Sequence, residues 1–342
     1  MDRIGTLFFS KAVRIPASSR VDQQPILTPR AYSSIGLSLL NREDVCILIP
    51  TLNEGGSIEA VVKGFLDLGF PHILVVDGHS TDGTADLARR AGAEVIMQSG
   101  SGKGQAVKEA FDRADSKYIV LVDGDGTYLP QEVDLLLDPL EKGVADHVVG
   151  NRFGRLTGGA LKRFNLFGNR LINLFFGMMY GVELQDLLSG YRAFTQEGVR
   201  CLNLSMTGFE IESEITIESV KKGLRIAEVP ITYLPRAGGT KTKLNPVRDG
   251  SKIVLTIYRM AKTQNPLFYF GLMGSIFGAA GFLMGVYVLM DWLSGRVEHL
   301  PLTILTAIFI IVGFQLFILG IQGDMMASMH REVLREMRRK KR

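Results

Sequence analysis

Two aspartates spaced two residues apart, Asp123 and Asp125, are the first candidates for chemistry in this sequence. They follow an apolar run, residues 118–122, that is typical of a buried strand, and a glycine follows each of them. Residues two apart at the end of an extended strand point the same way, so both carboxylates can face one ligand. Such a pair suits a hard divalent cation that also holds phosphate oxygens. An incidental solvated turn is the alternative, because the pattern alone is a weak signal.

Further carboxylates follow other predicted strands. Glu54 lies in the loop after the first strand, and Asp77 and Asp82 lie in the loop after the second. In a doubly wound sheet the loops at the carboxyl ends of the strands converge on one crevice, so these acids are expected there. A crevice lined with carboxylates repels a nucleotide unless a cation bridges them, which implies a metal. The competing interpretations are turn chemistry for Asp82 and a helix-start charge for Glu54.

The elements that must position these acids alternate in type. Strands are predicted at residues 45–49, 72–76, 94–97, 118–122 and 146–149, and helices at 57–68, 84–91, 103–114 and 130–141. This alternation predicts an α/β fold with a mostly parallel sheet and helices on both faces. After Gly150 it gives way to helices at 164–180 and 210–222 and an edge strand at 224–234 that contains Pro230. The apolar helix 164–180 suits either the core or a membrane surface.

Two apolar stretches near the C-terminus, residues 267–290 and 301–322, carry no formal charge. Each is long enough to span the roughly 30 Å hydrocarbon core of a bilayer. We predict a two-helix transmembrane hairpin, with a buried core hairpin as the alternative. A basic amphipathic helix at residues 246–262 precedes the hairpin and is expected to lie at the membrane interface.

The charge distribution predicts an orientation. The tail after the second span is strongly basic, whereas the connector 291–299 holds Asp291, Glu298 and a single arginine, Arg296. By the positive-inside rule the large domain before the hairpin and both termini are expected to be cytoplasmic, in a cell-membrane protein with two spans. The net charge of +4 and the basic tail favour lipid headgroups over nucleic acid as partner. Homo-oligomer formation is left open.

The remaining segments receive simpler interpretations. Cys46 and Cys201 lie in apolar contexts without metal-ligand spacing, and we interpret them as reduced core residues. Residues 1–42 are basic and rich in serine, and we interpret them as a poorly ordered extension, with folded sequence from Val45. The predicted organisation is this extension, a cytoplasmic domain at 43–245, an interfacial helix at 246–264, the hairpin at 265–323 and a basic tail at 324–342.

Six motifs occur in a characteristic order: P-T-L-N-E at 50–54, V-V-D-G-H-S-T-D-G-T at 75–84, G-K-G at 102–104, D-G-D-G-T at 123–127, G-N-R-F at 150–153 and S-G-Y-R-A-F at 189–194. Residues 45–244 thereby resemble family 2 inverting glycosyltransferases of the dolichyl-phosphate mannose synthase type. The resemblance implies a Rossmann-like, GT-A type nucleotide-sugar-binding domain. It also implies a nucleotide-sugar donor, a polyprenyl-phosphate or dolichyl-phosphate acceptor, and Mg²⁺ or Mn²⁺.

The resemblance implies roles by position. The nucleotide sugar would be held by Pro50, Asn53, Glu54, Asp77, Asp82, Lys103, Asp123 and Asp125. The metal would be held by Asp123, Asp125 and Thr127, and the acceptor phosphate by Arg152, Arg163, Arg170, Lys241 and Lys243. The catalytic residues would be Asp125, Arg152 and Arg192. For each arginine a structural salt bridge is the alternative.

Two departures from the family pattern stand out. Gly78 replaces a second acid, and Thr127 replaces a frequent glutamine. Both resemble the subgroup that loads hexoses or N-acetylhexosamines onto dolichyl phosphate for protein glycosylation. Because a lipid phosphate is already an anion, it needs no strong general base, and alignment with metal neutralisation of the leaving diphosphate would carry catalysis. The alternatives are a non-catalytic membrane scaffold and a nucleotidyltransferase. The latter is disfavoured because the first loop, PTLNEGGS, holds an acid and no following lysine or arginine.

Overall fold

The computed structural model describes residues 40–156, 163–236, 246–261, 265–295 and 300–341, with the backbone alone for residues 155, 156, 163, 164, 246, 247 and 330–341. Seven strands form one sheet: β1 (Val45–Thr51), β2 (His72–Asp77), β3 (Glu94–Met97), β4 (Tyr118–Leu121), β5 (His147–Leu156), β6 (Arg192–Thr195) and β7 (Ile226–Tyr233). Their order across the sheet is β3-β2-β1-β4-β6-β5-β7. The predicted edge strand with Pro230 is therefore confirmed as β7.

The sheet is mostly parallel, as predicted. β1 pairs in parallel with β2 and β4, β2 with β3, and β5 with β7. β6 alone among the described strands runs antiparallel to both of its neighbours, β4 and β5. β6 is not predicted by the sequence, because a four-residue strand that starts with an arginine carries neither an apolar run nor an alternating pattern.

Helices cover both faces of the sheet. They are α1 (Ile58–Asp67), α2 (Thr84–Ala91), α3 (Lys103–Arg113), α4 (Val133–Glu141), α5 (Arg163–Tyr180), α6 (Gln196–Cys201), α7 (Ile211–Lys221) and α8 (Pro246–Ala261). Residues of α1 and α4 pack on one face, and residues of α3 and α7 pack on the other. A third apolar cluster joins α5 and α8 to Val149 and Ile217. β1, which is apolar except for Thr51, is buried along its whole length between the first two layers.

Helix α5 has two apolar faces, so both interpretations of its sequence find a place. Ile172, Phe176 and Met179 are buried in the third cluster. Another set of large apolar side chains is exposed: Phe167, Leu171, Leu174 and Met178. Burial of the first face makes α5 part of the core, and contact of the second face with a membrane stays a prediction.

Two long apolar helices follow, α9 (Pro266–Leu293) and α10 (Leu300–Lys341). Both are long and apolar enough to cross a membrane, over Pro266–Leu293 and Leu300–Met329. Only 11% and 17% of their most apolar windows are buried, which excludes the alternative of a core hairpin. The two helices pack closely at Gly274 and Gly313, where a Cβ on either glycine would lie under 3 Å from the other's carbonyl oxygen. Close approach at small residues is the usual way in which membrane helices pack.

Two predictions about the remaining segments need correction. Cys46 is buried, and burial raises the pKa of its thiol to about 12, whereas Cys201 is exposed at the end of α6. Folded structure also begins before Val45, with a short 3-10 helix at Arg42–Asp44. The Arg42 guanidinium lies over the Phe70 ring and donates to Asp134. These contacts attach Arg42 to the domain, while residues 1–39 lie outside the described chain.

Candidate functional site

The loops after β1 and β2 are joined to each other by hydrogen bonds. The backbone N–H of Asn53 donates to Ser80 Oγ at 2.8 Å, and that of Thr81 donates to Asn53 Oδ1 at 2.8 Å. The N–H of Gly55 donates to Asp82 Oδ2 at 2.9 Å. Asn53 has a φ of 49°, a backbone conformation that asparagine tolerates better than most residues. The two loops therefore form one rigid wall at the carboxyl edge of the sheet.

Asp82 and Asp77 both serve this wall. Burial alone would raise the pKa of Asp82, but hydrogen bonds from Thr84 and Gly55 outweigh it and lower that pKa. Asp77 is fully buried, and its carboxylate accepts from Thr51 Oγ1, Ser80 Oγ and the Ser80 N–H at 3.1, 2.6 and 2.8 Å. Turn chemistry thus accounts for the contacts of both acids, and their predicted contact with a nucleotide stays a prediction.

Pro50 lies within β1, and Glu54 lies in the loop that follows β1. Pro50 is buried in β1 opposite Val76, and the Glu54 carbonyl accepts the N–H groups that start α1. Ser57, directly before α1, donates through Oγ to the Gly124 carbonyl at 2.7 Å. This bond ties the start of α1 to the Asp123–Asp125 turn.

Asp123 is held by a partly buried lysine. Lys103 Nζ lies 2.6 Å from Asp123 Oδ1 and 2.5 Å from Glu212 Oε1. Burial alone would lower the pKa of Lys103, but the charges of Asp123 and Glu212 outweigh it and raise that pKa. Lys103 therefore stays charged and bridges the strand end to α7. Lys103 was predicted to be a site residue, whereas Glu212 was not.

Asp125 is oriented by two other residues. Its Oδ1 accepts from the Thr127 Oγ1 and N–H at 2.6 and 3.1 Å, and its Oδ2 lies 2.9 Å from Arg236 Nη2. Arg236 Nη1 is buried and has no hydrogen-bond partner among the described residues. Thr127, predicted as a metal ligand, here orients the carboxylate beside it. Arg236 was missed, because nothing in its local sequence distinguishes it from any arginine that follows a strand.

The oxygen atoms of Asp123, Asp125 and Thr127 suit a divalent cation that also binds the phosphate oxygens of a substrate. Two carboxylates and a hydroxyl are the hard oxygen ligands that Mg²⁺ prefers, and Mg²⁺ usually binds one or two carboxylates together with substrate phosphates. In the described part of the chain, no group of three or more histidine, cysteine or acidic side chains could hold a metal. A cation bound here would therefore depend on Asp123 and Asp125 together with oxygens of a ligand.

Arg152 lies in β5 beside this turn. Its N–H and Nε donate to Asp186 Oδ2 at 2.9 and 2.7 Å, and its Nη2 donates to Asp186 Oδ1 at 2.7 Å. Burial would lower the pKa of Arg152, but Asp186 outweighs it, so that the pKa is raised. The salt-bridge alternative is thus present for one edge of the guanidinium, and contact of the remaining edge with an acceptor phosphate stays a prediction.

Arg192 does not reach the crevice, which corrects the prediction of a direct catalytic contact. It is fully buried, and its guanidinium donates to the carbonyls of Leu187 and Ser189 and to Thr216 Oγ1 at 2.5, 2.7 and 2.8 Å. Burial lowers the pKa of Arg192 to about 10 and also lowers that of the adjacent His147. Arg192 cannot contact a substrate because it starts β6, inside the sheet, where its guanidinium binds groups of the chain itself.

The other predicted acceptor residues lie apart from this cluster or beyond the described residues. Arg170 is exposed on α5, and Arg163 starts α5 with its side chain undescribed. Lys241 and Lys243 lie outside the described residues. Their predicted roles stay predictions.

Comparisons with known proteins agree with this geometry. The model of the family "Glycosyl transferase family 2" matches residues 46–202. The chain is 46% identical to glycosyltransferase AglJ of Haloferax volcanii over 292 residues, 85% of this chain and 96% of that protein. It is 34% identical to the dolichyl-phosphate hexose transferase of the same organism over 64% of this chain and 94% of that protein. It is 30% identical to the polyprenol monophosphomannose synthase of Mycolicibacterium smegmatis over 63% and 85%.

Solved structures support the fold. Glucosyl-3-phosphoglycerate synthase from Mycobacterium tuberculosis, in complex with Mn²⁺, UDP-glucose and phosphoglyceric acid, superposes with a TM-score of 0.55 at 22% identity, over 67% of this chain and 86% of that one. The sheet is thus of the GT-A type that the sequence predicted. Similarity over nearly the whole of AglJ confirms the resemblance seen in the motifs and sets aside the scaffold and nucleotidyltransferase alternatives. The chain therefore belongs to glycosyl transferase family 2 and is a glycosyltransferase.

Proposed function

We propose that the chain transfers a sugar from a nucleotide-sugar donor to dolichyl phosphate or another polyprenyl phosphate, with inversion at the sugar C1, at the cytoplasmic face of a membrane. The observation that carries this proposal is the paired acids Asp123 and Asp125 at the carboxyl end of β4, in a domain followed by two apolar helices of membrane-spanning length. The relatives named for dolichyl-phosphate and polyprenol-phosphate substrates support the acceptor class.

The donor diphosphate would lie against the Asp123–Asp125 turn. When bound, Mg²⁺ or Mn²⁺ held by these two acids would neutralise the charge of the departing diphosphate. Structures of the fold neighbour glucosyl-3-phosphoglycerate synthase contain Mn²⁺ with UDP-glucose or Mg²⁺ with UDP, which supports this cation class. The Nη1 of Arg236 beside Asp125 is a buried donor without a partner among the residues that the structure describes, and it suits a phosphate oxygen.

The acceptor would approach from the β5 side of the turn. A phosphomonoester is already an anion, so its oxygen attacks the sugar C1 directly as the bond to the diphosphate breaks, and one such displacement inverts C1. Arg152, whose charge is fixed by Asp186, supplies a cation on this side. The work of the chain is then to align two anionic substrates in an acidic crevice.

Membrane attachment gives the acceptor access. The acceptor's hydrocarbon tail stays in the bilayer, so the crevice must lie at a fixed height above it. Helix α8 packs on α5 in the third apolar cluster, and together they expose Phe167, Leu171, Leu174, Val254 and Leu255. Helix α8 precedes α9 in the sequence, and we propose that the exposed apolar side chains of α5 and α8 rest on the bilayer.

The proposal is tested with membranes that carry the chain. They are incubated with polyprenyl phosphate and a panel of radiolabelled UDP and GDP sugars, and the label that enters the organic phase is counted. We expect one nucleotide sugar to give acceptor-dependent, cation-dependent label, and we expect the Asp123→Ala/Asp125→Ala variant to give none. Label that forms equally well in that variant would contradict the proposal.

A further inference from the structure

A short segment between α5 and β6, residues 185–190, contacts both halves of the proposed site. Asp186, Leu187 and Ser189 in it are completely buried. A connection this deeply buried is unusual, because its backbone N–H and C=O groups need partners other than water. Here the partners are side chains of the surrounding elements.

One end of the 185–190 segment fixes the orientation of the Arg152 guanidinium. Asp186 accepts three hydrogen bonds from Arg152, through the backbone N–H, Nε and Nη2. Both Asp186 oxygens are used, so the guanidinium can neither rotate nor slide without breaking a charge-assisted bond in a buried setting. The direction of the remaining Arg152 N–H groups therefore follows from the position of Asp186.

The other end sets Asp123. A Cβ added to Gly190 would lie 2.5 Å from Asp123 Oδ2 and 2.9 Å from its Cγ, so the backbone of Gly190 forms the wall against which that carboxylate rests. The Gly190 N–H donates to Tyr128 Oη at 2.9 Å. Any side chain at position 190 would displace the Asp123 carboxylate.

Three residues of other elements hold the segment itself. Glu228 of β7 accepts the N–H groups of Gln185 and Asp186 at 3.0 and 2.7 Å. Asn173 of α5 accepts the Leu187 N–H at 3.2 Å. Arg192 donates to the carbonyls of Leu187 and Ser189. Because its main chain is held by three elements, the segment keeps Asp186 at one end at a fixed distance from Gly190 at the other.

We propose that the 185–190 segment fixes the distance between the acceptor and donor halves of the site, with Asp186 as the positioning residue for Arg152 and Gly190 as the positioning residue for Asp123. This inference rests on the proposed function. It predicts that substitutions at the two ends change the KM of different substrates. Substitutions in a segment with only a structural role would not separate the two substrates in this way.

The first test compares two aspartates. Asp186→Asn places an amide N–H against Arg152 Nη2 and loosens the guanidinium, so we expect the KM for polyprenyl phosphate to rise about tenfold or more while the donor KM stays unchanged. The matched control is Asp146→Asn, since Asp146 accepts the same three bonds from Arg225 away from the site. This control should leave both KM values unchanged.

The second test is Gly190→Ala, which should raise the donor KM and the Mn²⁺ concentration for half-maximal rate, with the acceptor KM unchanged. Equal changes in both substrates' KM for either variant, or no change in a folded variant, would overturn the inference. If Asp186→Asn does not fold, Arg152→Met/Asp186→Asn removes both buried charges and is compared with Arg152→Met alone. Equal acceptor KM values support the inference, and a higher value in the double variant overturns it. A wild-type chain without acceptor-dependent transfer would instead refute the proposed function.

Discussion

Two arginine–aspartate pairs stand at opposite ends of the parallel strands β5 and β7, and they are built alike. In each, the aspartate accepts from the arginine's backbone N–H, Nε and Nη2, in Arg152–Asp186 at the carboxyl end and in Arg225–Asp146 at the amino end. The side chains differ in exposure, at 10% and 1% for the first pair and 44% and 24% for the second. The same hydrogen bonds are therefore expected to contribute differently to stability, because water screens the Arg225–Asp146 pair and is excluded from the Arg152–Asp186 pair.

The comparison extends to the two edges of the sheet. At the carboxyl edge, several charged groups pack against one another, as Lys103 does between Asp123 and Glu212. At the amino edge, the Arg225–Asp146 pair is partly in solvent and joins the starts of two strands. We interpret the first edge as the one where charge serves function, and the second as one where charge serves stability.

The largest expected difference is in stability. Arg152→Met leaves Asp186 as an unpaired buried charge and should cost about 3–5 kcal/mol of unfolding free energy. Arg225→Met leaves a carboxylate that water can reach and should cost about 0–1 kcal/mol. Thermal unfolding of both variants in the same detergent measures the difference. Equal costs would show that the two pairs are energetically alike and would break the comparison.

The next effect is on catalysis. Asp125→Asn removes one of the charges that we assign to the cation site and should lower kcat about 100-fold or more. Asp146→Asn changes the same residue type at the opposite edge and should leave kcat unchanged. Initial rates of label transfer to the lipid phase, at saturating donor and acceptor, check both values. A similar loss in both variants would mean that the edges do not differ in function.

A smaller effect concerns pH. Burial raises the pKa of Glu228 from 4.5 to about 7, although the Gln185 and Asp186 N–H groups oppose the rise. The stability contributed by neutral Glu228 is therefore fully present below about pH 4.5 and is lost as the pH rises through about 7. Glu228→Gln keeps an acceptor oxygen without the charge, so it should remove this decline, worth about 1–3 kcal/mol.

At the amino edge the sign is reversed. Burial would raise the pKa of Asp146, but its bonds to Arg225 outweigh this and lower it. Its stabilisation is present above its ordinary pKa of 3.8 and is lost as the pH falls through the lowered value. Unfolding midpoints of Glu228→Gln and Asp146→Asn, measured between pH 3 and 8, should separate the pH dependence due to Glu228 from that due to Asp146. A decline between pH 4.5 and 7 that persists in Glu228→Gln would contradict the assignment.

The smallest expected effect on activity comes from the exposed thiol. Cys201 should react with a maleimide in the native state, whereas Cys46 should react only after unfolding, because it is buried and its thiol pKa is raised. Mass spectrometry of the labelled chain counts the modified cysteines. Transfer activity should survive the modification of Cys201, and its loss would show that α6 influences the site.

Much of the fold was predictable because its signals are local. The bounds of α2 and β3 match the prediction, since Gly92 ends the helix in a left-handed conformation and a short apolar run follows. The membrane-length helices were equally visible in uncharged runs. β6 was not, because its hydrogen bonds to β4 and β5, and the buried partners of Arg192, come from distant parts of the chain.

The site divides in the same way. Asp123, Asp125 and Lys103 could be found because their spacing and flanking glycines form motifs. Glu212, Asp186, Arg236 and Glu228 could not, since each is defined by a partner far away in sequence. Arg192 shows the opposite case. It lies in a motif and was predicted to contact substrate, but its guanidinium donates to carbonyls of the chain itself.

The most direct measurement of the central claim is a Mn²⁺ titration of the purified chain, followed by the EPR signal of free Mn²⁺, with UDP or GDP present according to the donor that the label assay identifies. The account predicts one Mn²⁺ bound per chain, bound far more weakly by Asp123→Asn/Asp125→Asn and unchanged in Asp146→Asn. Mn²⁺ binding of wild-type strength in the double variant would contradict it.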